Sequence, residues 1–170
     1  MTIADMMTKA SAPWLDASVP ARAQRIVRRA LADVGLLEMP PGSNRSPRID
    51  EYLRAVGSPI GSRWCAAAVA AWWRDAGVRV PSTDAGSCAI WERWGRDRGV
   101  WRAEPSVGCA VLYGSGDVAV HMGVIARVAP LLLSVEGNTT LTGFGADGEA
   151  VTLKQVALHR VRGYVVPGVD

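Results

Sequence analysis

The residues of this chain whose types suit nucleophilic chemistry are a cysteine, a histidine and a short acidic strand. Cys65 lies in Trp64-Cys65-Ala66-Ala67-Ala68, His121 in His121-Met122-Gly123, and Glu136 in Glu136-Gly137-Asn138. A thiol that attacks an acyl carbon needs a base within hydrogen-bond reach, and that base needs a polar partner to fix its tautomer. The chain supplies one such set, in the order nucleophile, base, orienter.

Each member has a physical reason to serve and a plainer reading beside it. Cys65 opens an alanine-rich helical run, where unpaired N–H groups and the helix dipole favour thiolate; taken alone, it would be a small packed residue. Val118, Val120, Met122 and Val124 alternate on one strand face, which puts His121 on the other with Gly123. That glycine leaves room beside the imidazole. The second histidine, His159, stands between Leu158 and Arg160 with no polar motif around it and is the weaker candidate. Period 2 places Glu136 and Asn138 on one face. One of them is expected to accept from the His121 Nδ1–H and hold Nε2 toward the sulfur, with its neighbour in support. The Cys65 backbone N–H is the expected oxyanion donor. Trp64, beside the nucleophile, is the tryptophan expected to touch substrate, and Asn44 is a further candidate cleft residue.

These residues need a frame, and the hydrophobic pattern supplies one. Ala23, Ile26, Val27, Ala30, Leu31 and Val34 mark an amphipathic helix between Pro20 and Gly35, and Ile49, Tyr52, Leu53 and Val56 a shorter one closed by Gly57. A third helix runs from Cys65 to a cap at Gly77, and a fourth covers Ser87 to Trp94. Beyond Pro105 the pattern changes to β-branched alternation, with strands expected at 109–113, 118–128, 131–138, 151–158 and 160–166, separated by turns such as 114–116 and 143–148. Helices followed by successive strands imply an α+β fold, with N-terminal helices packed on an antiparallel sheet of about five or six strands. One domain is expected over 18–170, preceded by an extension over 1–17.

Composition narrows the class. The chain has 170 residues, 49% hydrophobic and 21% charged, and no run reaches the roughly 18 apolar residues of a membrane span. A net charge of +3 with a pI near 9.0 is spread along the chain and nearly all arginine; neither nucleic acid nor membrane is expected as a partner. Met1 to Ala17 lacks the pattern of a secretory signal. The cysteines, Cys65, Cys88 and Cys109, contain no CxxC pair, so no zinc ribbon is indicated. Pairing of Cys88 with Cys109 would leave Cys65 as the free thiol. Of the seven tryptophans, Trp72, Trp73, Trp91 and Trp94 fall at packing positions.

Taken together, the motifs resemble the CHAP family, cysteine, histidine-dependent amidohydrolases and peptidases that cut the peptide part of bacterial peptidoglycan. The family's Trp-Cys-Ala-Ala helix start, His-x-Gly strand and Glu-Gly-Asn strand are matched by Trp64 to Ala67, His121 to Gly123 and Glu136 to Asn138. Its opening pattern is matched by Gly35, Glu38, Asn44 and Ile49 to Leu53. The likeness covers about residues 23 to 166. It implies a papain-like fold, Cys65 as nucleophile, His121 as base, Glu136 as third member and Asn138 in support. Two departures fall on the cleft wall and leave the catalytic atoms untouched: Val107-Gly108-Cys109 where many relatives have Pro-Gly-Asp, and Ala68 where they have an aromatic. No Asp-rich loop like that of the calcium-binding members precedes Cys65, so no metal and no cofactor is expected. The implied partner is a peptidoglycan stem peptide or crossbridge, met by a monomer at the cell wall after delivery by phage lysis machinery, a virion or a secretion system. The readings from other classes are a non-catalytic wall-binding or structural module of the same fold, and a cytoplasmic thiol acyltransferase or isopeptidase.

Overall fold

A computed structural model describes residues 12, 14, 15, 17–114, 116–140 and 148–168. Most of the expected extension over 1–17, and parts of the turns at 114–116 and 143–148, lie outside them.

Four helices come first. Helix α1 (Ala21–Ala32) follows Pro20 and buries the stripe Ala23, Ile26, Val27 and Ala30, with its arginines between; Gly35, at φ +90°, turns the chain away. Helix α2 (Pro47–Ala55) has the start signal its sequence advertises. The Ile49 N–H donates to Ser46 Oγ at 3.2 Å, and Pro47 takes the first turn, where an N–H is not needed. Helix α3 (Cys65–Asp75) is buried on most sides, with Cys65 through Ala70, Trp72 and Trp73 all inside. Its alanines suit that central place, because only short side chains let a helix lie against α1, α2 and the sheet at once. Helix α4 (Cys88–Asp97) packs near the other sheet edge.

The strands are β1 (Trp101–Arg102), β2 (Ala110–Tyr113), β3 (His121–Arg127), β4 (Leu133–Thr139), β5 (Ala150–Gln155) and β6 (Val161–Val165). They form one six-stranded sheet in the order β1-β6-β2-β3-β4-β5, with every neighbouring pair antiparallel. The fold is therefore α+β with helices packed on an antiparallel sheet, as the order of patterns implied. Met122, Val124, Val135 and Leu153 join the main core with the helices, while Val111, Tyr113, Ile125 and Tyr164 belong to a second, smaller apolar cluster. Apolar packing in both clusters explains why β3 and β4 are buried at every position.

Among the boundaries that differ from the sequence reading, two expose apolar residues. Strand β3 starts at His121 rather than 118, because the chain is still turning at 116–118 and leaves Val118 and Val120 exposed. The fourth expected strand, over 151–158, ends at Gln155, and Leu158–Arg160 forms a single 3₁₀ turn with Leu158 outside. No helix among the described residues is long and apolar enough to cross a membrane.

Candidate active site

Cys65 is the first residue of α3, and His121 is the first residue of β3. The site forms where these two beginnings meet. Helix α3 starts at Cys65 because Trp64 is clamped. Its backbone N–H donates to Asn138 Oδ1 at 3.2 Å, its indole N–H donates to Glu38 Oε1 at 2.9 Å, and its ring stacks on Tyr52 with centroids 6.3 Å apart. No side chain caps the helix, which leaves its first-turn N–H groups to negative charge developing at Cys65.

The imidazole is held from behind. His121 Nε2 lies 2.9 Å from Glu136 Oε2 and donates to it, while Glu136 Oε1 accepts from Tyr113 Oη at 2.7 Å and Ser134 Oγ at 2.6 Å. Tyr113 stands directly opposite His121 across β2 and β3, and its ring stacks on the imidazole at 5.7 Å. Gly123 makes the arrangement feasible: a Cβ there would stand 2.6 Å from Glu136 Cγ and 2.7 Å from Val135 O. The room expected beside the imidazole is taken by the carboxylate's own chain.

The ring orientation is the reverse of the one expected. Glu136 pairs with Gly123 rather than with His121, so its carboxylate reaches along the strand to Nε2, the ring nitrogen farther from the backbone. Nδ1 is buried without a hydrogen-bond partner, and, with Nε2 engaged by Glu136, it is the ring nitrogen left for the thiol.

Charge follows from this geometry. Cys65 is held well below the ordinary thiol range, first by a hydrogen bond from the Cys88 thiol, whose sulfur lies 3.7 Å away, and then, against the cost of burial, by the proton and charge of His121 and by the Met122 N–H. Burial disfavours a charged His121, yet the sulfur and Glu136 outweigh it and raise the imidazole to about 10. Burial likewise works against a charged Glu136, but His121, Ser134 and Tyr113 hold the carboxyl at about 2. These directions favour a thiolate facing an imidazolium that a carboxylate backs. Cys88 moves the other way, well above the usual range, because it hydrogen-bonds to Cys65 and is buried.

Asn138 does not meet His121. The β4–β5 register shifts between Glu136 and Thr139, Asn138 adopts φ +54°, and this bulge breaks the alternation that would have kept it beside Glu136. Its amide instead donates to Asn44 Oδ1 at 3.0 Å, Gly148 O at 2.9 Å and Glu38 Oε1 at 3.4 Å. Asn44 is likewise engaged inside the protein, its N–H donating to Glu38 Oε2 at 2.8 Å. The expectation that Trp64 touches substrate is also corrected. It is fully buried, with its polar edge spent on Glu38 and its ring against Gly137, where a Cβ would come within 2.6 Å of the indole. The Cys88–Cys109 pairing that would have left Cys65 alone is not formed: all three cysteines are free, Cys88 lies beside Cys65, and Cys109 lies in the second apolar cluster. His159 is exposed, away from these contacts.

Sequence reasoning missed four participants. Ser134 was accessible in principle, two residues before Glu136 on the same strand face. Tyr113 is brought in only by the β2–β3 register. Glu38 entered as part of a motif, with no role until the chain folded. Cys88 reads as an apolar position in a helical pattern and carries no local signal. Among the described residues, no group of three or more His, Cys, Asp or Glu side chains is placed to hold a metal ion. No protein-family model matches this chain, and no curated protein matches it.

Proposed function

We propose that this chain is a cysteine hydrolase that cleaves amide bonds in the peptide part of bacterial peptidoglycan. The observation that carries the chemistry is the buried Cys65–His121–Glu136 relay, with Nε2 2.9 Å from the carboxylate and the thiol drawn well below its ordinary range. The substrate class rests on the resemblance to CHAP domains. It is supported by how the matched residues converge: Glu38, Asn44, Trp64 and Asn138, drawn from three separate stretches of sequence, form one hydrogen-bonded cluster behind the nucleophile. A nucleophile at a helix start, with base and acid on two adjacent antiparallel strands, is also the arrangement that a papain-like fold implies.

The reaction follows from the resting charges. The Cys65 thiolate attacks the carbonyl carbon, and the oxygen's developing charge meets the uncapped first-turn N–H groups of α3. His121, already protonated, gives its Nδ1 proton to the departing amine and then takes one from water, which opens the thioester. Glu136 stabilises the imidazolium throughout without itself moving a proton. Because the ion pair exists before substrate arrives, His121 serves first as acid, and only in the second half as base.

Digestion of purified sacculi, with the soluble products identified by mass spectrometry, tests the reading. Native protein is expected to release muropeptides with new amine and carboxyl ends, and the Cys65→Ala variant none. Binding to sacculi without release would overturn it in favour of a wall-binding module.

A further inference from the structure

Cys88 makes and breaks no bond in the hydrolytic steps, yet its sulfur lies 3.7 Å from that of Cys65, close to the contact distance of two sulfur atoms. The two cysteines are the first residues of α3 and α4, so two helix starts aim their sulfurs at one point. Both are nearly covered, at 4% and 8% exposure. A hollow of about 400 Å³ reaches Ser87, the residue before Cys88, and an oxidant as small as a peroxide fits such a space. Cys109 is elsewhere, its sulfur accepting from the Ser106 N–H at 3.4 Å.

We propose that Cys65 and Cys88 form a two-thiol oxidation site, in which a hydroperoxide oxidises Cys65 and Cys88 captures the product as an intramolecular disulfide. The Cys65 thiolate attacks the peroxide O–O bond, taking one oxygen as a sulfenic acid and releasing hydroxide or alkoxide, which is protonated. The Cys88 sulfur then displaces the sulfenic oxygen, and the Cys88 proton leaves with it as water. Two thiols and hydrogen peroxide give one disulfide and two waters, with two electrons passed to the peroxide. A low-lying thiolate beside a thiol that keeps its proton is the polarity this sequence needs. The bond closes by rotating the sulfurs toward each other from their present contact. It protects the nucleophile from further oxidation and switches it off until a dithiol reductant reopens it. The switching consequence rests on the proposed hydrolase reading; the disulfide chemistry does not.

The test uses the native chain, hydrogen peroxide at neutral pH, and alkylation by iodoacetamide after denaturation. Expected are a mass loss of two hydrogens, alkylation of Cys109 alone, a peptide joining Cys65 to Cys88, and return of all three thiols with dithiothreitol. In Cys88→Ser, peroxide is expected to carry Cys65 to the sulfinic acid, which dithiothreitol does not reverse. Three alkylatable thiols after peroxide treatment, a bond to Cys109, or oxygenated Cys65 beside a free Cys88 in the native chain would each overturn the proposal. A disulfide in protein that leaves sacculi intact would remove the hydrolase reading and keep this one; hydrolysis without the disulfide would do the reverse.

Discussion

Replacing Glu136 by glutamine removes one charge from the site and almost none of its volume. The carboxyl is held at about 2 rather than 4.5 inside the protein, which corresponds to roughly 3 kcal/mol in favour of the ionised carboxylate, shared among His121, Ser134 and Tyr113. His121 is displaced further, from 6.5 to about 10, because it also faces the sulfur of Cys65; the carboxylate side is therefore the better measure of what Glu136 supplies. In Glu136→Gln the amide either offers a donor to Nε2 or accepts without charge, so the imidazolium gives up its proton roughly two pH units earlier. Above that lower pH the thiolate loses the positive charge it faces. The rate of Cys65 alkylation by iodoacetamide, followed by mass spectrometry between about pH 4 and pH 10, reports the thiolate directly. Native protein is expected to react well below the range of a free thiol, and the variant's profile to depart from it above about pH 8, where its imidazole has lost the proton. With His121 at about 10 in the native protein and about two units lower in the variant, the acid for the leaving amine is retained near neutrality and depleted above about pH 8, so kcat/KM of the variant should fall about tenfold below native near pH 9. Superimposable alkylation profiles for native and variant would refute the reasoning.

Other perturbations bear on neighbouring parts of the account. Gly123→Ala places a Cβ 2.6 Å from Glu136 Cγ and 2.7 Å from a backbone oxygen that cannot yield; hydrolysis should be lost with a measurable drop in thermal midpoint. Gly137→Ala drives into the buried Trp64 ring at 2.6 Å and should cost about 1–3 kcal/mol in denaturant unfolding. Asn138→Ala leaves the Trp64 N–H and the Asn44 and Glu38 oxygens short of a partner, with an expected loss of about 1–3 kcal/mol and an unchanged pH profile for alkylation. Stability should also follow pH in a defined sense. Glu136, lowered when folded, stabilises above about 4.5, and that contribution is lost as pH falls toward about 2. His121, raised when folded, stabilises fully below about 6.5 and loses its contribution as pH rises through about 10. Denaturant midpoints of native and His121→Ala that fall in parallel across the alkaline range would contradict the second statement.

The helices were legible because their signals are local. The Ala23-Ile26-Val27-Ala30 stripe and the Ser46-Pro47 start need no tertiary knowledge to read. The same holds for His121 and Glu136, whose faces follow from period 2. What the sequence did not disclose depends on register and on bulges. The two-residue β1 is too short to show a pattern, and it exists because Trp101 and Arg102 pair with β6. A single register shift after Glu136 turned Asn138 from the imidazole toward Trp64, which simple alternation cannot foresee. Trp64 itself reads equally well as a substrate platform or a core residue, and the difference lies in Glu38, 26 residues earlier. Cys88 meets Cys65 only because two helices begin at the same place.

In the proposed reaction the Cys65 sulfur is the atom that becomes acylated. Native protein mixed with a solubilised peptidoglycan peptide, quenched in acid within the first turnover and mapped by mass spectrometry, reports this directly. An acid-stable, hydroxylamine-labile acyl group on the Cys65 peptide, absent in Cys65→Ser, is the predicted result. Bond cleavage that proceeds in Cys65→Ser at the native rate, or an adduct on any other residue, would contradict it.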